Sequence, residues 1–288
     1  MKIVYHLSDL DGKCCAALAH KFFPNAGLIP HNYHMDFPWD QIERGEAVWM
    51  LDISLPMEDM SRLQTLCWPD KLTWIDHHKS AMLDAEDALF DAFGLRRTDA
   101  AGCELLWEYV MGANAEIPIG VRLLGRYDIW DHKDQRVLPF QYGVRGVKEA
   151  QNPLDPWWLN LFSTEKLCLD YIEQIRKTGV SILNYVEAQN ELLSESTAFE
   201  SVLTVGDKSY RALVMNRPLA NSQMFTSWDP TQHDIMLAFH RTTNKCWSVS
   251  LYTTKTKEID CGAICKNFGG GGHPGAAGFH CTTLPFDH

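Results

Sequence analysis

The sequence predicts an α/β fold whose N-terminal part is a mainly parallel β-sheet with helices on both faces. Three short apolar runs indicate strands of this sheet, at residues 3–5, 48–51 and 74–75. Each run is rich in β-favouring residues and ends at a polar segment. Helix-favouring segments separate the runs, and an alternation of strands and helices is typical of parallel sheets.

The N-terminal half alternates between predicted strands and predicted helices along its whole length. Short apolar or β-branched runs predict strands at 2–6, 27–31, 46–52 and 71–76. Residues of high helix propensity predict helices at 13–22, 57–66, 100–112 and 117–126. We therefore assign residues 1–160 to one parallel-sheet domain.

The C-terminal half has a different pattern. Between Glu165 and Leu193, apolar residues recur at helical spacing over a length that exceeds an ordinary crossover, which predicts a helical connector at 161–195. Beyond it, the pattern predicts strands near 199–205, 210–215, 234–239, 246–252 and 278–280, with helices near 219–226 and 258–267. These elements predict a second, smaller α/β domain at 196–288.

The composition is that of an ordinary soluble globular protein, with 45% hydrophobic and 22% charged residues among 288. No apolar run approaches the roughly 20 residues that cross a bilayer, and no signal-peptide pattern follows Met1, so we expect a cytoplasmic protein. The nine cysteines include no CxxC pair and are expected to be buried thiols. The net charge of −11 argues against binding to long DNA, but not against a short anionic substrate.

Metal-binding side chains follow three of the predicted strands. Residues 6–12 (HLSDLDG) come at the end of the first strand, Asp52 follows another, and Asp76, His77 and His78 follow a third. In open α/β sheets, ligands bind at the carboxyl ends of the strands. One shared pocket therefore explains why all three strands end in carboxylates and two of them also in histidines.

The residue types in these segments predict a site for two divalent cations. Asp9 and Asp11 stand two residues apart in a predicted turn at Gly12, and charges so close repel unless cations lie between them. Asp52 could bridge two ions, and Asp128 could complete the second site. Two ions about 3.5–4 Å apart can activate a shared water and stabilise the leaving oxygen of a phosphate ester.

Each of these features also has an ordinary structural explanation. The Asp9–Asp11 pair alone is typical of a solvated turn, His6 of a packed strand end, and Asp128 of a helix cap or an ion pair. His6 and Asp9 are three residues apart, and on a strand an odd offset directs side chains to opposite faces. The aspartates are therefore stronger ligand candidates than His6, and the joint occurrence of all the segments predicts the metal site.

Together these motifs resemble those of the DHH phosphoesterases, a family that includes RecJ-type exonucleases, nano-RNases, cyclic-dinucleotide phosphodiesterases and family II pyrophosphatases. The matching segments are residues 6–12, Asp52 within LDIS, the triplet Asp76, His77 and His78, and Asp128. The glycine-rich segment ending at His273 resembles the hallmark of the DHH-associated domain, so the resemblance covers nearly the whole chain. It implies a DHH catalytic domain at 1–160 and a DHH-associated, substrate-binding domain at 196–288.

The resemblance also implies a role for each motif residue. One metal would be held by His6, Asp9 and Asp52, and the second by Asp11, Asp52, His77 and Asp128. Asp76 would orient a histidine from outside the ligand set, and His78 would donate to the attacked phosphate or to the leaving group. The implied cofactors are two divalent cations, most often Mn²⁺.

The four glycines at 269–272 and the histidine that follows predict a substrate-binding loop. Glycines let backbone N–H groups approach an anion, and a histidine adds a donor. By resemblance, the end of an oligonucleotide would be held by Gly270, Gly271, Gly272 and His273. The alternative is a flexible turn before the last strand.

Tyr252 stands where relatives often carry an arginine for the substrate phosphate. Tyr252 could stack on a base instead, or Lys255 or Lys257 could bind the phosphate. The sequence therefore leaves the identity of the nucleotide open.

We expect a two-metal phosphodiesterase that hydrolyses short oligonucleotides to mononucleotides, as a nano-RNase or oligoribonuclease does. The substrate would bind in the cleft between the two domains, and the protein could form a homodimer. The first alternative is a phosphodiesterase for cyclic or linear dinucleotide signals. The alternative of another class is a non-catalytic, nucleotide-binding regulator.

Overall fold

The computed structural model describes residues 1–33, 35–163, 165–254 and 256–287, without the side chain of Pro69. The chain divides into two compact units, Met1–Leu183 and Asn184–His288. Among the residues so described, no helix combines the length and the apolar character needed to cross a membrane.

The first unit is built on a four-stranded sheet in which every neighbouring pair of strands is parallel. Its strands are β1 (Lys2–His6), β2 (Gly27–His31), β3 (Val48–Leu51) and β4 (Leu72–Ile75). Their spatial order is β2-β1-β3-β4, so all four carboxyl ends lie along one edge. The structure thus confirms the predicted mainly parallel sheet.

Two hydrophobic cores cover the two faces of this sheet. Ile3 and Tyr5 of β1 belong to one core, and Val4 between them belongs to the other. This alternation follows from the period of two residues in a strand, and a strand buried on both faces reads as a continuous apolar run.

Helices of the first unit supply both cores. They are α1 (Leu10–Phe22), α2 (Met57–Cys67), α3 (Lys79–Asp87), α4 (Gly102–Met111), α5 (Ile119–Asp128) and α6 (Val137–Arg145). Helices α3 and α6 were not predicted from the sequence. In α6, Pro139 is a poor helix signal, but it occupies the first turn, where a missing backbone N–H costs no helical hydrogen bond.

Helix α7 (Lys166–Thr197) is continuous over 32 residues and runs from the first unit into the second. Two glycines allow it to pack closely on α6. A Cβ at Gly143 would lie 2.2 Å from the Ile175 carbonyl oxygen, and a Cβ at Gly179 would lie 1.7 Å from the Pro139 carbonyl oxygen. The part of α7 that belongs to the first unit is therefore in backbone contact with α6.

Among its described residues, the second unit contains the last part of α7, a six-stranded, mainly antiparallel sheet and one short helix. Its strands are β5 (Phe199–Val205), β6 (Lys208–Asn216), β7 (Ile235–Arg241), β8 (Trp247–Tyr252), β9 (Gly271–His273) and β10 (Ala276–Cys281), and its helix is α8 (Cys261–Lys266). The spatial order is β5-β6-β7-β8-β10-β9, with β6 and β7 parallel.

Three local predictions differ from the structure. The helix expected near 219–226 is only a short 3-10 turn at Ser222–Met224. The first helix begins at Leu10 rather than at residue 13, which places Asp11 and Gly12 in its first turn and not in a loop. Residues 271–273 of the glycine-rich segment form β9, which pairs with β10, so they are neither a loop nor a flexible turn.

Candidate functional site: an acidic and histidine cluster

The carboxyl edge of the first sheet carries the predicted site residues. His6 is the last residue of β1, Asp52 directly follows β3, and Asp76 and His77 directly follow β4. Since these three strands are adjacent and parallel, their ends deliver the side chains to one place.

The first group of possible ligands joins His6, Asp9 and Asp52. One ligand atom from each residue lies within 4.8 Å of the others. His6 Nδ1 is 2.7 Å from Asp9 Oδ2 and 3.5 Å from Asp52 Oδ2. Asp9 is the N-cap of α1, so the strand offset that disfavoured His6 does not apply, because β1 ends before Asp9.

Gly12 is needed because α1 lies very close to the end of β1, and not because the chain turns there. It lies in α1, where its backbone N–H donates to Asp9 Oδ1 at 2.9 Å. A Cβ at this position would lie 2.0 Å from the His6 carbonyl oxygen. Only glycine therefore lets the first turn of α1 rest on the end of β1.

The second group joins Asp11, His77 and Asp128, again with ligand atoms within 4.8 Å of one another. His77 Nε2 lies 3.1 Å from Asp128 Oδ2 and 3.7 Å from Asp11 Oδ2. Asp128 is the last residue of α5, and it reaches the strand ends from that helix.

Asp52 connects the groups. Its Oδ2 faces His6, while its Oδ1 lies 3.1 Å from His77 Nε2. It is 1% exposed and adopts a left-handed backbone conformation with φ of 58°, which is rare outside glycine. Such strain is characteristic of functional sites, where the surrounding structure holds a residue in place.

Asp76 and His78 form a pair beside the cluster. Asp76 Oδ1 lies 2.6 Å from His78 Nδ1 and accepts hydrogen bonds from the backbone N–H groups of His77 and His78. Its Oδ2 accepts from Trp74 Nε1 at 3.0 Å. The carboxylate is fully buried, and these contacts fix the orientation of the His78 ring. His78 also belongs to a third group of possible ligands, with Asp52 and His77.

The N-terminus of α4 is a part of the site that the sequence analysis missed. The backbone N–H groups of Gly102 and Cys103 donate to the two carboxylate oxygens of Asp11, at 2.8 and 2.9 Å. A helix N-terminus carries partial positive charge and unpaired donors, so it stabilises a carboxylate. A Cβ at Gly102 would lie 2.8 Å from Asp52 Cβ, which explains the glycine.

Tyr33 was also missed. It follows β2, and its ring centroid lies 5.6 Å from that of His6 and 5.9 Å from that of His78, both in edge-on geometry. The side chain is 47% exposed. No spacing rule in the sequence connects it to the histidine motifs.

Burial and neighbouring carboxylates act in opposite directions on the histidines. Burial lowers the pKa of His6, but Asp9 and Asp52 outweigh it and raise the pKa to about 11. Burial also lowers the pKa of His77, while Asp128 and Asp52 raise it to about 12. In neutral solution without bound metal, both imidazoles therefore carry a second proton.

The pKa values of the carboxylates in the cluster are shifted in different directions. Burial raises the pKa of Asp11 well above its usual value, and the charge of Asp52 raises it further. Burial also raises the pKa of Asp128, against the effect of His77. At Asp52, the close contacts with His6 and His77 outweigh burial and hold the pKa below its usual range.

The cluster is chemically suited to metal ions. Asp52 Oδ1 is buried, and no described N–H or O–H group makes a hydrogen bond of good geometry to it, which is unusual for a buried carboxylate. Imidazole nitrogens with carboxylate oxygens favour Mn²⁺, Fe or Zn²⁺ over Mg²⁺. These residues could therefore hold divalent cations.

In the second unit, two of the predicted glycines serve the packing of β9. A Cβ at Gly270 would lie 2.1 Å from the Gly278 carbonyl oxygen, and one at Gly272 would lie 2.7 Å from Ala277 Cα. At Gly271, in contrast, a Cβ would meet no atom within 4 Å. His273 pairs with Ala276 across the β9–β10 ladder and is half-buried.

Tyr252 lies in a hydrophobic core of the second unit. Its ring packs near Phe225, and its hydroxyl donates to the Ala220 carbonyl oxygen at 2.7 Å. With 9% of its surface exposed, it is not placed to stack on a base. Lys257 pairs with Asp234 at 3.2 Å, and Lys255 lies outside the described residues.

Comparisons with known proteins give a fold but not a family. No protein-family model and no curated protein matches the chain. An uncharacterized protein from Helicobacter pylori G27 is 17% identical with a TM-score of 0.42, over 99% of this chain and 94% of that one. The pGpG-specific phosphodiesterase PggH from Vibrio cholerae is 13% identical with a TM-score of 0.50, over 97% of this chain and 92% of that one. The chain therefore shares its overall fold with a phosphodiesterase.

Proposed function

We propose that this protein is a two-metal phosphodiesterase that hydrolyses short oligonucleotides to mononucleotides. The observation that carries the proposal is the convergence of three strand ends on adjoining groups of possible metal ligands, linked through Asp52 and His77. The fold shared with a pGpG-specific phosphodiesterase supports the same class of reaction.

The ligands of one cation would be His6, Asp9 and Asp52, and those of the second Asp11, Asp52, His77 and Asp128. Mn²⁺ is the cation that we propose, because the donor set mixes imidazole and carboxylate. A pair of such ions lowers the pKa of water and offsets negative charge on the phosphoryl oxygens.

His78 is the proposed proton donor. Its Nδ1 faces the buried Asp76 carboxylate at 2.6 Å, and its other ring nitrogen, Nε2, would donate to a phosphoryl or leaving-group oxygen. Burial lowers the pKa of His78, but Asp76 outweighs this effect and raises it. Asp76 therefore favours the doubly protonated form of the His78 imidazole, which is the form that a general acid requires.

Substrate binding is proposed for Gly270, Gly271, Gly272 and His273 of the second unit. The support is chemical: a Cβ at Gly271 would meet no atom within 4 Å, and a histidine stands at the end of the same short strand. Gly270 N–H already donates to the Cys265 carbonyl oxygen at 2.9 Å, so the donors for the phosphate at the end of a short oligonucleotide would come from the rest of the segment and from the imidazole.

A second candidate is a phosphodiesterase restricted to linear dinucleotides. The similarity in fold to a pGpG-specific enzyme favours this candidate. The two differ in the products from longer chains: a general oligoribonuclease degrades tetranucleotides, whereas a dinucleotide enzyme leaves them intact.

The first experiment is product analysis with labelled di- to decanucleotides and with cyclic dinucleotides. Mn²⁺ is present in one arm and a chelator in the other. We expect mononucleotides from di- to tetranucleotides with Mn²⁺ and no product with the chelator. Equal hydrolysis in both arms would rule out metal dependence, and cleavage of cyclic dinucleotides alone would rule out the substrate class.

The Asp52→Ala variant tests the bridging ligand. The two oxygens of this carboxylate face the two ligand groups, so its removal should release both cations and abolish nearly all activity. Asp70→Ala is the matched control, because Asp70 is exposed and precedes β4 at the opposite edge of the sheet. Two ions at full occupancy in Asp52→Ala, measured by elemental analysis, would contradict the assignment.

A further inference from the structure

Three aromatic rings stand directly beside the candidate metal ligand Asp128. They belong to Tyr127, Trp130 and His132. The ring centroids are 6.3 Å apart for Tyr127 and Trp130, 5.5 Å for Tyr127 and His132, and 5.1 Å for Trp130 and His132. The ring planes lie within 37° of one another, so the three rings form one roughly parallel aromatic patch.

The backbone holds Trp130 in this patch at a conformational cost. Its φ of 57° is in the left-handed region, which a bulky residue adopts rarely. Hydrogen bonds on both sides fix the turn: Trp130 N–H donates to the Tyr127 carbonyl at 3.1 Å, and Asp131 N–H donates to the Arg126 carbonyl at 2.9 Å. An observed backbone outlier of this kind is a reason to look for a function.

The core of the first unit does not account for Trp130. Its side chain is 39% exposed, and it is absent from both hydrophobic clusters that cover the sheet. Arg145 holds Tyr127 in place, since its guanidinium carbon lies 5.1 Å from the ring centroid and its Nη2 donates to the Tyr127 hydroxyl at 3.1 Å. The patch is therefore anchored on one side and open to solvent at Trp130.

We propose that Trp130 stacks on a nucleobase of the substrate and so positions the phosphate beside it at the cluster. This inference rests on the proposed function. Asp128, two residues earlier, faces His77 at 3.1 Å, and two peptide units separate the Trp130 and Asp128 Cα atoms by at most about 7.6 Å, so the chain carries the indole to the neighbourhood of the proposed metal site. Every base has a flat π-face, and stacking on an aromatic side chain binds bases with little sequence preference.

Trp130 is thus a binding residue that acts before the chemical step. Its contribution should be found in KM for substrates that carry bases. Loss of one stacked base corresponds to a roughly 5- to 150-fold effect. Metal binding should not change, because the indole is not a ligand.

The test compares Trp130→Leu, Trp130→Phe and Trp68→Leu. Leucine keeps apolar bulk without a π-face, and phenylalanine keeps an aromatic ring. Trp68 is a matched control: it has a positive φ of 71°, is 53% exposed, and precedes β4 at the opposite edge of the sheet. The substrates are a 5′-phosphorylated adenine dinucleotide and its abasic analogue, both with Mn²⁺.

We expect Trp130→Leu to raise KM for the adenine dinucleotide about 5- to 150-fold. Trp130→Phe should change KM much less, and Trp68→Leu should match the parent. The abasic analogue should bind the parent as weakly as it binds Trp130→Leu. An equal KM for the adenine and abasic substrates in the parent protein would overturn the proposal. This comparison needs no variant, so the test remains possible if Trp130→Leu fails to fold.

A binding measurement separates this inference from the proposed activity. A dinucleotide containing 2-aminopurine and a non-hydrolysable methylene phosphonate link is titrated into each protein. Stacking on Trp130 should quench its fluorescence with the parent and with Trp68→Leu, but not with Trp130→Leu. Quenching without any hydrolysis of the ordinary dinucleotide would refute the proposed reaction alone, while equal quenching in all three proteins would refute the role of Trp130 alone.

Discussion

The Gly102→Ala substitution tests whether the N-terminus of α4 supports the proposed metal site. The added methyl carbon would lie 2.8 Å from Asp52 Cβ and 3.1 Å from Asp11 Oδ2. Carbon atoms pack at about 3.5–4.0 Å, so α4 or Asp52 must move by nearly 1 Å. Such a shift lengthens the hydrogen bonds from Gly102 and Cys103 to Asp11, now 2.8 and 2.9 Å, beyond useful range.

Two effects of this substitution can be measured separately. Overpacking of a buried position costs about 1–3 kcal/mol of the free energy of unfolding, which corresponds to a Tm lower by roughly 2–12 °C in the metal-free protein. Loss of the groups that orient a ligand typically weakens metal binding about 10- to 100-fold. Thermal unfolding with a chelator measures the first effect, and calorimetric titration with Mn²⁺ measures the second.

Gly27→Ala is the matched control for Gly102→Ala. A Cβ at Gly27, on β2, would meet only the flexible Lys2 side chain, at 3.1 Å. We expect parental Mn²⁺ affinity and nearly parental stability for this variant. If the Mn²⁺ affinity of Gly102→Ala equals that of Gly27→Ala, the helix N-terminus does not support the site, and the reasoning is refuted.

Four further predictions follow from the same cluster and from the second unit. His6→Ala should raise the Mn²⁺ concentration needed for half-maximal activity while the fold is kept, and a metal titration identical to the parent's would make His6 a packing residue. Mn²⁺ affinity should rise with pH, because the pKa values of His6 and His77 are about 11 and 12 and the cation must displace their protons. Calorimetry in two buffers of different ionisation enthalpy counts the protons that are released. Asp76→Asn should lower the pKa of His78, so the loss of activity at high pH should begin at a lower pH; an unchanged pH profile would exclude His78 as the proton donor. His273→Ala should reduce kcat/KM for di- to tetranucleotides about 10- to 150-fold while hydrolysis of bis(p-nitrophenyl) phosphate is kept, and the reverse pattern would place His273 in catalysis or folding.

The first sheet and its ligand-bearing ends could be predicted because their signals are local. A buried parallel strand is a short apolar run, and the residue after it lies at the carboxyl edge whatever the rest of the chain does. Asp52 and His77 could therefore be assigned to one edge of one sheet from the sequence. Their positions relative to β3 and β4 agree with this prediction.

The features that were missed depend on contacts between distant segments. Gly102 is 50 positions from Asp52 along the chain, and nothing near Gly102 shows that a Cβ there would meet another strand end. The same holds for Tyr33, whose ring meets His6 and His78 only because β2 pairs with β1. Spacing rules describe one element at a time and do not describe such contacts.

The glycine-rich segment shows a different limit. Gly270 and Gly272 were interpreted as donors for an anion, but both positions are also required by the close packing of β9 on β10. A run of glycines is compatible with either cause, since each needs a backbone without side chains. Packing does not explain Gly271 or Gly269, because a Cβ at either position would meet no atom within 4 Å, although the φ of 74° at Gly269 favours glycine.

The charge balance of the cluster supports the proposed binding of cations. Ion pairs of Asp9, Asp11, Asp52 and Asp128 with the described residues involve only His6, His77 and His78, and no lysine or arginine. A cluster of carboxylates without a lysine or arginine partner favours the protonated form of the neighbouring histidines. The raised pKa values of His6 and His77 have this direction. A divalent cation can replace those protons. It could not replace the charge of an arginine side chain, because that charge belongs to the chain itself. The four carboxylates therefore form no ion pair with a described lysine or arginine, which leaves their counter-charge exchangeable, as the proposed binding of cations requires.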